Sequence, residues 1–527
     1  MKTYLNTGRK RTLRMAALTT SLLLSSVAFA GEVTLKSADG TVDLKGDLVE
    51  FKDDNYVIRT ALGELAISSS RVRCEGASCP TFDTAVTDVH FYGSEAVGLG
   101  VMPLLLSGYA ANMNAEIKIT ETQNEDETLA NLVADNGFGD EIGSFLVTST
   151  SSGDAFDALL NDETGIGMSS RRITPAEARA LRAAGKGNMI SIDQEHILAV
   201  DSLVIIVNPD NGVETVSIED LKGIYSGAIT NWSQLGGADL PIQVVSRAEG
   251  TGTYEVFQNR VFGKDAHSAP EGAIVENDSN KVAAFINENP GAIGYVGYAF
   301  QRGAKPLNLV NECGITSSPD PFSAKTEEYA LQRRMYLYNT ENPAPKINDF
   351  ISYATSDAAD GVISKAGFID LGIISREQAL DSPRAASLLN ADVDAFEGNV
   401  IREMLAEMTK YDRLSTTFRF NLGSSQLDER GLMDMERLAN YLADQPKGTR
   451  VEMVGFTDNV GSFEANKKLS LGRAQQVIAK LQEVGGDRVA NIEFEASGFG
   501  EISPTGCNNS EAGRGANRRV EVWLAKN

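Results

Sequence analysis

Apolar and polar positions along this chain fall into five successive patterns. Residues 1–30 open on Lys2, Arg9, Lys10, Arg11 and Arg14 and then run apolar through 15–29. Residues 33–68 (VTLKSADGTVDLKGDLVEFKDDNYVIRTALGELAIS) alternate apolar and polar between turn signals at Asp39-Gly40, Lys45-Gly46 and Leu62-Gly63. That alternation predicts short, half-buried strands in a small β-barrel or curled sheet. From 83 to 371, continuous apolar runs such as SLVIIVN (202–208), PIQVVSR (241–247) and AIGYVGY (292–298) alternate with helical stretches such as TPAEARALRAAG (174–185). Strands of this kind are buried on both faces and flanked by helices. Residues 372–411 contain EGNVIREMLAEMTKY (397–411), a helix without Pro, Gly or Ser runs around it, and read as a semi-rigid spacer. From 412 onward a strand, VEMVGFTDNVGS (451–462), leads to a helix, LSLGRAQQVIAKL (469–481), and the chain closes on the strand NRRVEVWL (517–524). The expected parts are therefore 1–30, 31–82, 83–371, 372–411 and 412–527, with no internal repeat.

At 527 residues the chain exceeds one core, and 42% hydrophobic with 23% charged residues is ordinary for soluble globular protein. The opening segment has the basic start and short apolar run of a signal peptide, with Ala28 and Ala30 at the positions read for cleavage. It is too short and too rich in Ser and Thr to span a bilayer. Cleavage after Ala30 and a periplasmic location are expected, and the lack of Cys there argues against a lipoprotein. Losing five cations and no carboxylate moves the net charge from −24 to −29. Such acidity excludes nucleic acid and anionic membrane surfaces as partners. Any bound anion needs an enclosed pocket rich in donors. Four cysteines in an exported chain suggest disulfides. Cys74 and Cys79 are expected to close a small loop; Cys313 and Cys507, in different segments, bridge or stay free. His90, His196 and His267 lie too far apart in sequence for a metal motif, so neither metal nor cofactor is expected.

Three loops in the central segment share one chemistry. FYGSEAVG (91–98), STSSGDAFDALL (149–160) running into GIGMSSRRI (165–173), and SRAEGTGTYEVF (246–257) each bring Gly, Ser or Thr to a helix start. Free backbone N–H groups and the helix dipole favour an anion there. Ser94, Val97, Ser151, Ser152, Ser169, Ser170, Thr251, Gly252 and Thr253 are the candidate donors, and Arg247 adds a fork suited to a tetrahedral oxyanion. The order IYSGAITNWSQLGG (224–237), RAEGTGT (247–253), NPGAIGYVGY (289–298) resembles the periplasmic phosphate-binding protein family (PstS-like), two-lobed type II solute receptors. The resemblance implies a phosphate clamp at Arg247, Thr251, Gly252 and Thr253, with Glu249 steadying the Arg, donors around Ser151 and Ser152, and closure by a hinge. Two positions depart from the family. Ala96 replaces a Thr, and Ser170 stands where some members carry the Asp that accepts the proton of hydrogen phosphate. An acceptor-only carboxylate rejects a fully ionised anion, so its absence leaves phosphate against sulfate open. Arg171 or Arg172 could add charge.

In the last segment, the strand delivers Asp458 into a polar loop and the following helix presents Arg473. A carboxylate and a guanidinium at one end of a sheet suit a small zwitterion, held by its ammonium and its carboxylate. With FRFNLGSSQLDERG (418–431) and GFGE (498–501), residues 413–527 resemble the OmpA-like peptidoglycan-binding domain. That resemblance implies that Asp458 and Arg473 grip the diaminopimelate of the wall peptide, flanked by Thr457, Asn459 and Arg518.

The G-x-S-x-G, G-x-x-x-x-G-K-[ST] and H-E-x-x-H motifs are missing from the sequence, and no enzymatic activity is expected. Together these readings describe an α/β multidomain chain: a small β module, a two-lobed type II binding-protein fold and an OmpA-like α/β sandwich. The expected function is oxyanion capture, phosphate first, tethered to peptidoglycan at the wall or outer membrane, with an ABC permease or another envelope protein as possible partner. The alternative is a structural envelope protein whose receptor domain has lost its ligand.

Overall fold

The computed structural model describes residues 31–37, 42–52, 55–69, 72–80, 87–124, 126–134, 141–249, 251–263, 265, 267–391, 393–420 and 429–526. The expected signal segment, the Asp39-Gly40 turn and residues 421–428 of the FRFNLGSSQLDERG motif lie outside them. The chain divides into two units, Met1–Ala85 and Val86–Asn527.

The first unit is an antiparallel five-stranded sheet, in order β4-β3-β2-β1-β5, of β1 (Glu32–Lys36), β2 (Asp43–Lys52), β3 (Asn55–Thr60), β4 (Gly63–Ser68) and β5 (Arg73–Glu75). Val33, Leu35, Tyr56 and Ile58 alternate into its core, and Cys74 is bonded to Cys79. Ala61 and Leu62 form the tight turn between β3 and β4, and Gly63 takes φ +112°. The expected turn at Lys45-Gly46 does not form. β2 runs straight through it, because a Cβ on Gly46 would sit 2.7 Å from the Arg59 carbonyl. The glycine there lets two backbones approach within one sheet.

The second unit begins with a long mixed sheet. Its strands are β6 (Val89–Ser94), β7 (Ala115–Glu121), β8 (Glu127–Ala134), β9 (Glu141–Thr150), β10 (Ile166–Ser169), β11 (Glu195–Val207), β12 (Gln243–Ser246), β13 (Ile274–Val275), β14 (Ala292–Gly297) and β15 (Gln332–Asn339). They run in the order β13-β12-β14-β11-β15-β10-β6-β9-β8-β7. β11 reads EHILAVDSLVIIV and is buried almost throughout, as its apolar stretches on either side of Asp201 and Ser202 require. Its first half pairs with β15 and its second with β14, so the strand crosses between two lobes. One lobe packs around Phe91, Tyr109, Phe145 and Phe350. The other packs around Tyr225, Phe257 and Tyr295, the last two stacked at 4.0 Å. The two-lobed architecture expected for 83–371 is what the chain adopts.

The last part is a five-stranded sheet, β16 (Ser375–Glu377), β17 (Tyr411–Arg419), β18 (Arg450–Gly455), β19 (Glu493–Gly498) and β20 (Arg519–Ala525), in the order β16-β17-β20-β18-β19. Helices Glu429–Ala443 and Phe463–Gly485 cover one face over Met453, Val477 and Val520. Residues 372–411, expected as a spacer, are instead part of this layer. Ser375–Glu377 is an edge strand on β17, and helix Ala395–Met408 buries Val400, Ile401, Met404 and Leu405 against Phe456 and Trp523. The reason is amphipathicity: apolar residues at helical spacing need a surface to cover, and the second face of the sheet supplies it.

Candidate functional site

The site in the two-lobed part sits where loops leave β6, β9, β10 and β12. After β6 the chain makes a single helical turn, α1 (Glu95–Gly98); after β9 comes α2 (Ser152–Leu160), and after β12 comes α3 (Gly252–Val261). Ser151 caps α2 in a box with Asp154, and Thr251 caps α3 by accepting from the Tyr254 N–H. Both are polar residues satisfying N–H groups at a helix start. α2 can lie this close to β6 because position 93 is glycine at φ +127°, where a Cβ would meet the Ala155 Cβ of α2 at 2.5 Å.

Ser152 and Ser170 come together. Their hydroxyls are 3.1 Å apart, and the Ser170 N–H donates to Ser152 Oγ at 3.0 Å. Gly252 faces them from the other lobe: a Cβ there would stand 3.0 Å from Ser170 Oγ. Ser94 is 1% exposed, and its Oγ has no hydrogen-bond partner among the described residues. Val97 is wholly buried in α1, and Thr253 is half-buried in the first turn of α3. Two expected donors are otherwise engaged: Ser169 Oγ donates to the Arg171 carbonyl at 2.7 Å, and Thr251 Oγ1 to that of Ala248 at 2.9 Å. Arg171 and Arg172 do not add charge freely, because Glu177 and Glu195 hold them at 2.7 Å and 2.8 Å.

Arg247 is 8% exposed. Its Nη1 donates to Ser279 Oγ at 2.7 Å and its Nη2 to the Asn277 carbonyl, while Nε is buried with no partner among the described residues. Glu249 does not steady it; that carboxylate accepts from Tyr254 and Ser268 instead. Burial lowers the Arg247 pKa from its ordinary value, and the nearby Arg333 adds to the effect, while Tyr295 and Glu95 oppose it. An anion between the lobes would relieve both unfavourable contributions.

Arg333 was not anticipated from the sequence. It lies on β15, buried, with its guanidinium on Asp201 Oδ2 at 2.9 Å and 2.7 Å, and Nη1 reaches the Gly252 carbonyl at 3.4 Å. The signal was legible. Asp201 interrupts an apolar run and Arg333 opens another, and charges inside buried strands must be paired. Thr150, whose Oγ1 is also buried without a partner among the described residues, carries no such signal. A cavity of about 250 Å³ is lined by Ser170, Gly252, Gln332 and Arg333, among others.

A second site lies at the end of β18. Asp458 Oδ2 accepts from Arg518 Nη1 at 2.7 Å, and Oδ1 accepts the Val460 N–H at 3.2 Å. Arg518 is also held by Glu511 at 2.7 Å and by the Phe420 carbonyl at 3.2 Å. Arg473 is buried, its Cζ 5.1 Å from the Phe420 ring centroid. Burial lowers its pKa, Arg518 lowers it further and Asp458 pulls it back, so the three groups share one local field. Thr457 Oγ1 is buried without a partner among the described residues, and Asn459 is exposed. The helix bearing Arg473 presses onto the strand bearing Asp458: a Cβ on Gly455 would sit 2.0 Å from the Ser470 carbonyl. Ser470 Oγ in turn accepts the Gly500 N–H at 3.0 Å, which ties the LSxxRA and GFGE segments together.

Residues 107–358 match the PBP superfamily domain and residues 419–518 the OmpA family. The phosphate-binding protein PstS of Bacillus subtilis is 32% identical over 176 residues, covering 33% of this chain and 57% of that protein. The PstS of Borreliella burgdorferi is 24% identical over 225 residues, 41% of this chain and 75% of that one. A crystal structure of an ABC-type phosphate transport receptor from Vibrio cholerae is 24% identical, with a TM-score of 0.41, and covers 54% of this chain and 99% of that one. The chain carries a PBP superfamily domain homologous to PstS proteins, followed by a C-terminal OmpA family domain.

Proposed function

We propose that this chain captures an inorganic oxyanion, phosphate foremost, between the two lobes of its receptor domain and is held to peptidoglycan by its C-terminal domain. The observation that carries the reading is the buried guanidinium of Arg247, whose Nε has no acceptor among the described residues. A buried donor of this strength is costly unless something accepts from it. Ser94, Ser152, Ser170 and the N–H groups opening α3 supply the rest of a cradle, and Gly252 lets the two lobes approach closely around it. The curated relatives named phosphate-binding proteins support phosphate over other oxyanions.

In the wall site, Asp458 takes the ammonium and Arg473 the carboxylate of diaminopimelate, with Thr457 and Asn459 at its edge and Arg518 fixing the Asp. The chain works as a receptor rather than a catalyst, in the envelope, and an ABC permease is its natural recipient. Among the described residues no helix is long and apolar enough to cross a membrane.

The test is calorimetric titration of protein stripped of carried-over ligand, with phosphate and then sulfate, beside co-sedimentation with purified sacculi. Saturable phosphate heat and retention on the wall are expected. A pocket silent to both anions would end the receptor reading.

A further inference from the structure

The C-terminal domain touches the receptor at three places, and the three belong to different moving parts. On the first lobe, Arg437 donates to the Thr355 carbonyl at 2.8 Å and stands 3.6 Å from Asp360. Met433, on the same helix, packs on the cluster of Phe156, Leu159 and Ile173. On the second lobe, Cys313, which follows the strand Asn308–Val310 of that lobe's core, is disulfide-bonded to Cys507.

Between them lies the hinge. The short helix Pro321–Lys325 and the turn after it lead directly into β15, with Tyr329 and Leu331 in the second lobe's core and Met335 and Leu337 in the first's. This segment is gripped throughout. Arg376 pairs with Asp320, and Arg413 with Glu328 at 2.6 Å. Arg419 pairs with Glu327 at 3.0 Å and donates to the Thr326 carbonyl at 2.6 Å. The Phe322 ring carries Arg376 and Arg413 at 4.1 Å and 5.4 Å from its centroid.

We infer that the wall-binding domain is a brace across the receptor, holding the two lobes in one relation whether or not the cleft is occupied. The physical argument is mechanical. A hinge between lobes opens by rotating one about the crossing strands. Here a third body is bonded covalently to one lobe, by a buried apolar contact and an Arg to the other, and by three further arginines to the hinge itself. Rotation must therefore break the buried Arg413–Glu328 pair or strain the disulfide, and separating a buried pair is strongly unfavourable. The consequence reaches function. The anion enters a preformed cleft, and hinge closure is not the signal by which a partner tells the loaded from the empty receptor. This inference rests on the two-lobed geometry and only its functional consequence on the anion-receptor reading.

The experiment places distance labels on unnatural residues at Lys118 in the first lobe and Glu271 in the second, in the full chain. Dipolar distance distributions are recorded with and without phosphate. In the braced protein the mean is expected to move by less than about 2 Å, the scale separating rigid docking from domain rearrangement. In C313S/C507S/R437A, without phosphate, the distribution is expected to widen and its mean to shift by more than that. C313S/C507S alone and R437A alone guard against misfolding of the triple variant, and each is expected to show part of the widening. Opening of the braced protein by more than about 2 Å on phosphate removal overturns the inference, and so does a released variant as narrow as the parent. Because the released variant is read without ligand, failure of phosphate to bind leaves the brace test intact.

Discussion

Replacing Arg247 by Ala removes a buried cation whose Nε has no acceptor among the described residues. Its Nη1 is committed to Ser279 and its Nη2 to Asn277. A hydrogen bond to a charged group contributes about 1.5–3 kcal/mol. One such bond lost to the anion therefore predicts a Kd increase of roughly 10- to 150-fold. The true loss should lie at the upper end, since the anion also loses a neighbouring charge in a water-poor cleft. Arg247→Lys keeps the charge but loses the planar fork that spreads donors over separate acceptors, so it should fall between the parent and Arg247→Ala. The assay is calorimetric titration with phosphate, with thermal unfolding alongside to show that each variant is folded. A folded Arg247→Ala that binds within about threefold of the parent, well under 1 kcal/mol, refutes the clamp.

Three other outcomes are expected. Ser170→Asp places an acceptor-only group beside Ser152 and should raise the phosphate-to-sulfate affinity ratio by about tenfold or more, read by paired titrations. Asp458→Asn and Arg473→Ala should each abolish most co-sedimentation with sacculi while leaving phosphate affinity unchanged, because the two sites use separate residues. Acid should loosen the domain junction: burial pushes the Glu328 carboxyl up, but Arg413 outweighs it and the net shift is downward. In Glu521, burial is likewise overcome by Arg384, Arg413 and Arg519. A folded-state value below the unfolded one, about 4.3 for Glu, gives stability that is complete above that pH and is lost as pH falls through the folded value. Thermal unfolding temperature should thus be flat in these groups from pH 5 to 8 and drop below about pH 4, less steeply in Arg413→Ala.

Much of the architecture could be read from pattern alone because each signal had a local cause. The β-branched run of β11 demands burial on both faces, and glycine-hydroxyl loops before α2 and α3 announce helix starts. What failed was information that belongs to a neighbour. Periodicity in 397–411 showed that a face must be covered but not by what, so a sheet layer was taken for a spacer. Gly46 was read as a turn because a glycine required by the opposite backbone looks the same in sequence. In the candidate site, Ser152 and Ser170 stand out in the sequence through their loops, whereas Arg333 and Thr150 carry no loop signature. Glu249 was given a role that falls to Asn277 and Ser279, both more than two dozen residues further along the chain.

The two disulfides also carry a consequence for how the protein is made. Cys74 and Cys79 are 5 residues apart, Cys313 and Cys507 are 194 apart, and in chain order each cysteine pairs with the next one still unpaired. As synthesis proceeds from the N-terminus, simple vectorial oxidation therefore yields the native pairing without an isomerase. The second bond must wait for the last few dozen residues, by which time both receptor lobes can already have folded. The bond then reports completion: only a molecule whose C-terminal domain has been made as far as Cys507 becomes covalently closed, and a chain cut short before it leaves Cys313 as a free thiol.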